Sequence, residues 1–70
     1  MTENENTTLL GKWNHYFKPN VHVIVVEEYP IEGYVNVIVM RDGEPLYGGV
    51  PQFMSRIKLL SEYIQQHTKM

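Results

Sequence analysis

The run Val21–Val26 constrains the fold most, because five of its six residues are β-branched. Such side chains are stiff about χ1 and suit the pleated surface of a sheet. Both faces of the run are apolar, which predicts a central strand covered on both sides. Residues 27–33 are predicted to form a loop, because Pro30 cannot donate a ladder hydrogen bond and Gly33 permits positive φ.

A second strand is predicted over Tyr34–Arg41, ending at Asp42-Gly43. An Asp-Gly pair between apolar runs is a strong signal for a two-residue type I′ hairpin turn. The resulting register pairs Arg41 with Glu44, Val39 with Leu46 and Ile38 with Tyr47. Pro45 makes the return strand an edge strand, and Gly48-Gly49 ends it.

The C-terminal segment from about Pro51 to His67 predicts one helix, with Pro51 near its first position. Its apolar positions repeat at helical spacing. They are Val50, Phe53, Met54, Ile57, Leu60 and Ile64. Since this stripe would pack on the sheet, we expect an α+β fold, an antiparallel meander of three or four strands packed by one C-terminal helix.

Residues 1–6 are polar and acidic, and we expect them to form a disordered tail before a single domain over residues 7–70. The segment 7–18 fits two structures. A helix would align Leu9, Leu10, Trp13 and Phe17 on one face. A strand would alternate Leu9, Trp13, His15 and Phe17 with polar residues and turn at Pro19-Asn20. The strand is favoured because aromatic residues cluster there.

Composition excludes several classes of protein. Apolar residues make up 43% and charged residues 20%, which is typical of a folded soluble chain. The formal net charge of -2 disfavours a strongly basic nucleic-acid binder, and the absence of cysteine excludes disulfide scaffolds and Cys-ligated metals. Apolar runs of about five residues are far short of a membrane span, and the N-terminus is not a signal peptide. We expect a cytoplasmic protein.

Catalytic signals are weak. Ser55 and Ser61 have no histidine nearby in sequence, and no phosphate-binding or nucleophile motif is present. His15 and His22 could meet across a hairpin, but a zinc site needs four ligands, so His22 is better explained as part of a half-buried face. We therefore expect no enzyme activity, no cofactor and no metal.

Two segments are candidates for a protein interface. On a helical wheel Leu59 and Tyr63 lie well away from the predicted core stripe, on a strip with Gln52 and Arg56. An exposed apolar pair with a polar rim has the composition of a contact surface. The acidic loop carrying Glu27, Glu28, Tyr29 and Glu32 could meet a basic patch on a partner, although charges on loops are usually just solvated.

The predicted sheet has a second apolar face that one helix cannot cover. If Val23 and Val25 face the helix, Ile24 and Val26 face away from it. The N-terminal segment, a second copy of the chain or a target protein must cover that face. We expect a homodimer.

The best-supported function is a small non-enzymatic regulator or inhibitor that docks on a larger protein. Inhibitors encoded by viruses and mobile elements often share this size and plan, an analogy at the level of fold alone. The alternative is a nucleic-acid-binding module, because cations and aromatic residues interleave over residues 12–18. Its candidate residues are Lys12, Trp13, Tyr16, Phe17 and Lys18.

Overall fold

Three antiparallel strands make up the centre of the computed structural model, which describes residues 8–66. They are β1 (Gly11–His15), β2 (Val21–Tyr29) and β3 (Tyr34–Arg41). Shorter elements follow along the chain. They are β4 (Glu44–Pro45), a 3₁₀ turn (Tyr47–Gly49), β5 (Gln52–Ser55), α1 (Arg56–Glu62) and β6 (Tyr63–Gln65). The predicted tail over residues 1–6 lies outside the described residues.

In the part of the chain that the structure describes, the sheet has six strands. Five follow the order β4-β3-β2-β1-β6, and β5 pairs with β3 on the same edge as β4, farther along β3. All pairs of strands are antiparallel. The single short helix α1 packs on this sheet through Leu59, which is fully buried within the hydrophobic core. The α+β fold class predicted from the sequence is confirmed.

The hairpin between β3 and β4 forms as predicted. Asp42 and Gly43 both have positive φ, 55° and 79°, as a type I′ turn requires. Arg41 pairs with Glu44, and the Leu46 amide donates to the Val39 carbonyl at 2.8 Å. The predicted pair between residues 38 and 47 does not form, because the chain leaves the ladder in a left-handed turn over Tyr47–Gly49.

Strand β1 confirms that the segment around Trp13 is extended rather than helical. Trp13 pairs with Val23 in the β1–β2 ladder and is 4% exposed. Its indole Nε1 donates to the Leu9 carbonyl at 2.8 Å, so the buried N–H keeps a partner. Phe17, which the strand interpretation places on the same face as Trp13, is instead 81% exposed in the following turn.

Strand β2 continues beyond its predicted end at Val26 as far as Tyr29. The register against β3 shifts by one residue between Val25 and Glu27, which is a β-bulge. Ile24 before the bulge and Glu27 after it therefore face the same side of the sheet. The predicted loop is reduced to the turn over residues 30–33, where the Gly33 amide donates to the Tyr29 carbonyl at 2.9 Å.

The predicted helix over residues 51–67 is wrong in both length and phase. Ser55 is the N-cap: its backbone is extended and its Oγ accepts a hydrogen bond from the Lys58 amide at 3.0 Å. Residues 52–55 before the cap pair with β3 as a strand, and the helix ends at Glu62. Most of the expected core stripe is exposed, and Met54 alone among its members is partly buried against the core. The exposed fractions are 71% for Phe53, 80% for Ile57, 49% for Leu60 and 52% for Ile64.

The core lies on one side of the sheet, which we call the covered face. Its buried residues come from the segment before β1, from β1, β2 and β3, from the helix and from β6. They are Leu9, Trp13, Val23, Val25, Val35, Val37, Leu59 and Tyr63. The opposite side, which we call the open face, carries the alternate residues of the same strands. Its central pairs are His22 with Met40 and Ile24 with Ile38.

Within the described residues β2 is covered on one side, and the predicted cover of its other side stays a prediction. Val23 and Val25 are 0% and 2% exposed on the covered face. On the open face Ile24 is half-buried and Val26 is 43% exposed. Within residues 8–66 the helix packs against the covered face alone.

Candidate protein-interaction site

Three aromatic side chains meet at the end of the sheet near the turn between β2 and β3. The ring centroids of Tyr29 and Phe53 are 6.0 Å apart at 71°, and those of Tyr34 and Phe53 are 5.9 Å apart at 37°. Both distances fall in the range of favourable aromatic contacts. We call this group, together with Ile31 in the adjacent turn, the aromatic end.

Strand pairing and the bulge place these rings together. Tyr29 pairs with Tyr34, and Phe53 pairs with Asn36 two residues along β3. Side chains alternate along a strand, so Tyr34 and Asn36 face the same side. Without the bulge Tyr29 would lie on the covered face, because it is an odd number of residues from Ile24.

The aromatic end exposes much of its apolar surface. Ile31 is 94% exposed, Phe53 is 71% exposed and Tyr34 is 47% exposed. The start of the helix lies beside the same turn, because the Arg56 amide donates to the Gly33 carbonyl at 2.9 Å, and the next residue, Ile57, is 80% exposed. Scattered exposed apolar residues are normal, but a contiguous group of them marks an interaction surface.

Acidic side chains border the aromatic end. The Tyr29 hydroxyl donates to Glu27 Oε1 at 2.7 Å. This hydrogen bond raises the pKa of Tyr29, and loss of hydration and the charges of Glu27 and Glu32 raise it further. Since both carboxylates act on the same hydroxyl, the two charges lie close to the aromatic end, and the backbone of Arg56 lies beside the same turn.

Glu28 has a structural role instead. Its Oε2 accepts hydrogen bonds from Thr8 Oγ1 at 2.8 Å and from the Leu9 amide at 3.1 Å. These bonds fix the segment that places Leu9 in the core. Of the acidic residues predicted as interface candidates, Glu27 and Glu32 therefore border the exposed cluster, while Glu28 holds the chain in place.

The predicted strip of Leu59 and Tyr63 is not a surface. Leu59 is 0% exposed and Tyr63 is 6% exposed, so the expectation that both are exposed is wrong. Gln52 is half-buried on β5, and its Nε2 donates to the Val50 carbonyl at 3.1 Å. Arg56 is the one residue of the strip that the structure places beside the aromatic end.

The candidate residues for nucleic-acid binding do not form one platform. Trp13 is buried and cannot stack on a base. Tyr16 and Phe17 are exposed, with ring centroids 6.1 Å apart, and Lys18 follows them in the turn. Lys12 lies within β1, where it pairs with Ile24, four residues before Tyr16.

Groups with catalytic or metal-binding chemistry are dispersed. His15 pairs with Tyr63 and His22 pairs with Asn14, so the two imidazoles face opposite sides of the sheet. Ser55 Oγ caps the helix, and Ser61 Oγ donates to the Lys58 carbonyl at 3.3 Å. Within residues 8–66 there is no cluster of three or more side chains able to hold a metal ion.

An open groove of about 560 Å³ lies on the covered face beside the short helix. Val37, Val39 and Met54 contribute apolar surface to it, and Tyr47 and Lys58 are among the other lining residues. Val39 and Met54 are partly buried against the core. The groove thus shows where the covering layer is incomplete.

In the part of the chain that the structure describes, no helix is long and apolar enough to cross a membrane.

Comparison with protein-family models, with curated proteins and with solved structures finds no significant match to this chain. The candidate site therefore depends on geometry alone. Sequence reasoning missed Ile31, Tyr34, Phe53 and Ile57. The signal that could have found Phe53 is Ser55, whose preference for the N-cap position separates residues 52–54 from the helix.

Proposed function

We propose that this chain is a cytoplasmic, non-enzymatic protein-binding regulator that docks on a larger protein through its aromatic end. The observation that carries this proposal is the exposure of Ile31 and Phe53, 94% and 71%, at the same end of one sheet. Large apolar side chains at the centre of an interface, surrounded by polar residues, supply most of the binding energy in many complexes.

The border of the site indicates the chemistry of the partner. Glu27 and Glu32 carry two negative charges, and Arg56 carries one positive charge, so the border has a net negative charge. A partner with an apolar depression bordered by lysine or arginine side chains fits this surface. The nucleic-acid-binding face of an enzyme is one surface of that kind.

Affinity capture from a lysate of the source organism tests the proposal. We compare the immobilised parent with Phe53→Ser and Ile31→Ser, and use Phe17→Ser as the matched control because Phe17 is 81% exposed at the opposite end of the sheet. Specific partners should be retained by the parent and the control, and roughly tenfold less by the two test variants. Circular dichroism checks that each variant folds.

Charge provides a second readout in the same assay. Glu32→Lys should weaken retention, and retention by the parent should fall as salt rises, because border charges are screened by salt. If no captured protein depends on Phe53 or Ile31, the proposal is wrong. Titration with labelled oligonucleotides at two salt concentrations tests the nucleic-acid alternative, for which we expect no salt-sensitive binding.

A further inference from the structure

The centre of the open face lacks the composition of a solvated surface. In an antiparallel sheet with one face in water, polar residues normally occupy that face. Here Ile24 pairs with Ile38 and His22 pairs with Met40, and all four side chains are only half-buried. Val26 beside them is 43% exposed. Apolar side chains at the centre of this face therefore remain partly in contact with water in the isolated chain.

Among the described residues, the hydrophobic core does not extend to this surface. Within residues 8–66 the helix packs on the opposite side, through Leu59. Residues 1–7 and 67–70 contribute two apolar side chains between them, Met1 and Met70. In residues 8–66 the core has eight buried residues, and a chain without cysteine has no disulfide to support it. Small domains of this kind commonly gain stability by association.

The size of the open face suits a small two-fold interface. The described strands hold 31 residues, and each residue covers about 16 Å² of the sheet plane at a rise of about 3.3 Å and a strand spacing of about 4.8 Å. Two such faces in contact would bury roughly 1,000 Å² in total, near the lower limit for specific interfaces. An interface of this size corresponds to weak association.

The charges on the open face also permit self-contact. Lys12 pairs with Ile24 across the β1–β2 ladder, and Glu27 follows on β2 after the bulge. Among the described strand residues this face thus carries one cation beside Ile24 and one anion farther along β2. Two copies in contact do not oppose a net like charge, and a two-fold interface repeats every favourable pair.

We infer that a second copy of this chain covers the open face, so that two sheets stack about Ile24 and Ile38 to form a homodimer. Aligned sheets pack about 10 Å apart, with inner side chains interdigitating. The inference does not rest on the proposed function, because it is argued from Ile24 and Ile38 at the centre of the sheet. The rings of Tyr29, Tyr34 and Phe53 lie at one end of the same face, so a dimer that covers the whole face would compete with a larger partner for them.

Sedimentation equilibrium tests the inference on the full chain at about 10–500 µM, the range in which a micromolar Kd is measured. The parent should be dimeric at the upper end. Val26→Lys should raise the Kd at least roughly tenfold, because the two-fold axis places two extra charges in a desolvated surface. Leu60→Lys is the matched control: Leu60 is 49% exposed on the helix, on the other side of the sheet, and its substitution should leave the Kd unchanged.

Methyl NMR provides a second measurement that needs no substitution. On dilution through the same range, the methyl signals of Ile24 and Ile38 should shift, whereas that of Ile57 on the exposed helix should not. A parent that stays monomeric at the highest concentration overturns the inference. So does a dimer in which Val26→Lys has no effect and the Ile57 signal shifts, because association then uses another surface.

Discussion

The covered and open faces of the sheet are built from the same strands, and both are apolar at their centres. Val23 and Val25 are almost completely buried on one face, while Ile24 between them is only half-buried on the other. The difference comes from one side chain of a seven-residue helix, Leu59, together with Trp13 and Tyr63. Burial in this chain is thus decided by the position of the covering element and not by the hydrophobicity of the strands.

The largest expected effect tests which side of the helix faces the sheet. Leu59→Ala should lower the free energy of unfolding by about 2–5 kcal/mol, the usual cost of truncating a buried leucine. Ile57→Ala, at a position 80% exposed, should change it by less than about 0.5 kcal/mol. Urea unfolding of both variants measures the difference. Equal midpoints would contradict the assigned phase of the helix.

The helix phase shows what could not be predicted from the sequence. A wheel over residues 51–67 has two apolar strips, one through Ile57 and one through Leu59 and Tyr63. Counting apolar residues favours the first strip. The structure buries the second, because the Ser55 cap starts the helix at Arg56 and Phe53 is left on a strand. Tertiary packing outweighs the richer helical pattern.

Local signals were sufficient elsewhere. The β-branched run at Val21–Val26 and the Asp42-Gly43 pair predicted two strands and the register of the hairpin, since both depend on neighbouring residues alone. The bulge after Val25 has no such local signal, and it moves Tyr29 to the open face. The aromatic end was therefore missed although its acidic border, Glu27 and Glu32, was among the predicted site residues.

Two adjacent residues of β5 test the difference between the two faces. Met54 pairs with Val35 and is partly buried against the core, whereas Phe53 is 71% exposed on the open face. Met54→Ala should therefore cost about 2 kcal/mol, and Phe53→Ala less than about 1 kcal/mol, although phenylalanine is the larger residue. Thermal or urea unfolding of the two variants measures which substitution lowers the stability more. The reverse order would place Phe53 in the core.

The turn between β3 and β4 fixes the register of this hairpin, and the register decides which side chains lie on each face. Gly43→Val should lower the free energy of unfolding by about 1–2 kcal/mol, because a β-branched residue resists the observed φ of 79°. Asp42→Asn is the matched control at the preceding position, since asparagine tolerates the left-handed region. An unchanged urea midpoint for Gly43→Val would mean that the turn is not type I′.

The smallest expected effect is a pH dependence of the free energy of unfolding, caused by Tyr63 on the covered face. Burial raises the pKa of the Tyr63 hydroxyl, and the neighbouring Glu62 carboxylate raises it further. In the unfolded chain a tyrosine loses its proton at about pH 10, whereas folded Tyr63 keeps it to higher pH. The resulting stability is fully present below pH of about 10 and is lost as the pH rises through the raised pKa. Urea unfolding in steps from about pH 8 to 11 should therefore show a decline in the free energy of unfolding of the parent. Tyr63→Phe should reduce this decline. Glu62→Gln should reduce it less, because burial is the larger cause of the raised pKa. A decline of the same slope in Tyr63→Phe would show that this hydroxyl is not buried on the covered face.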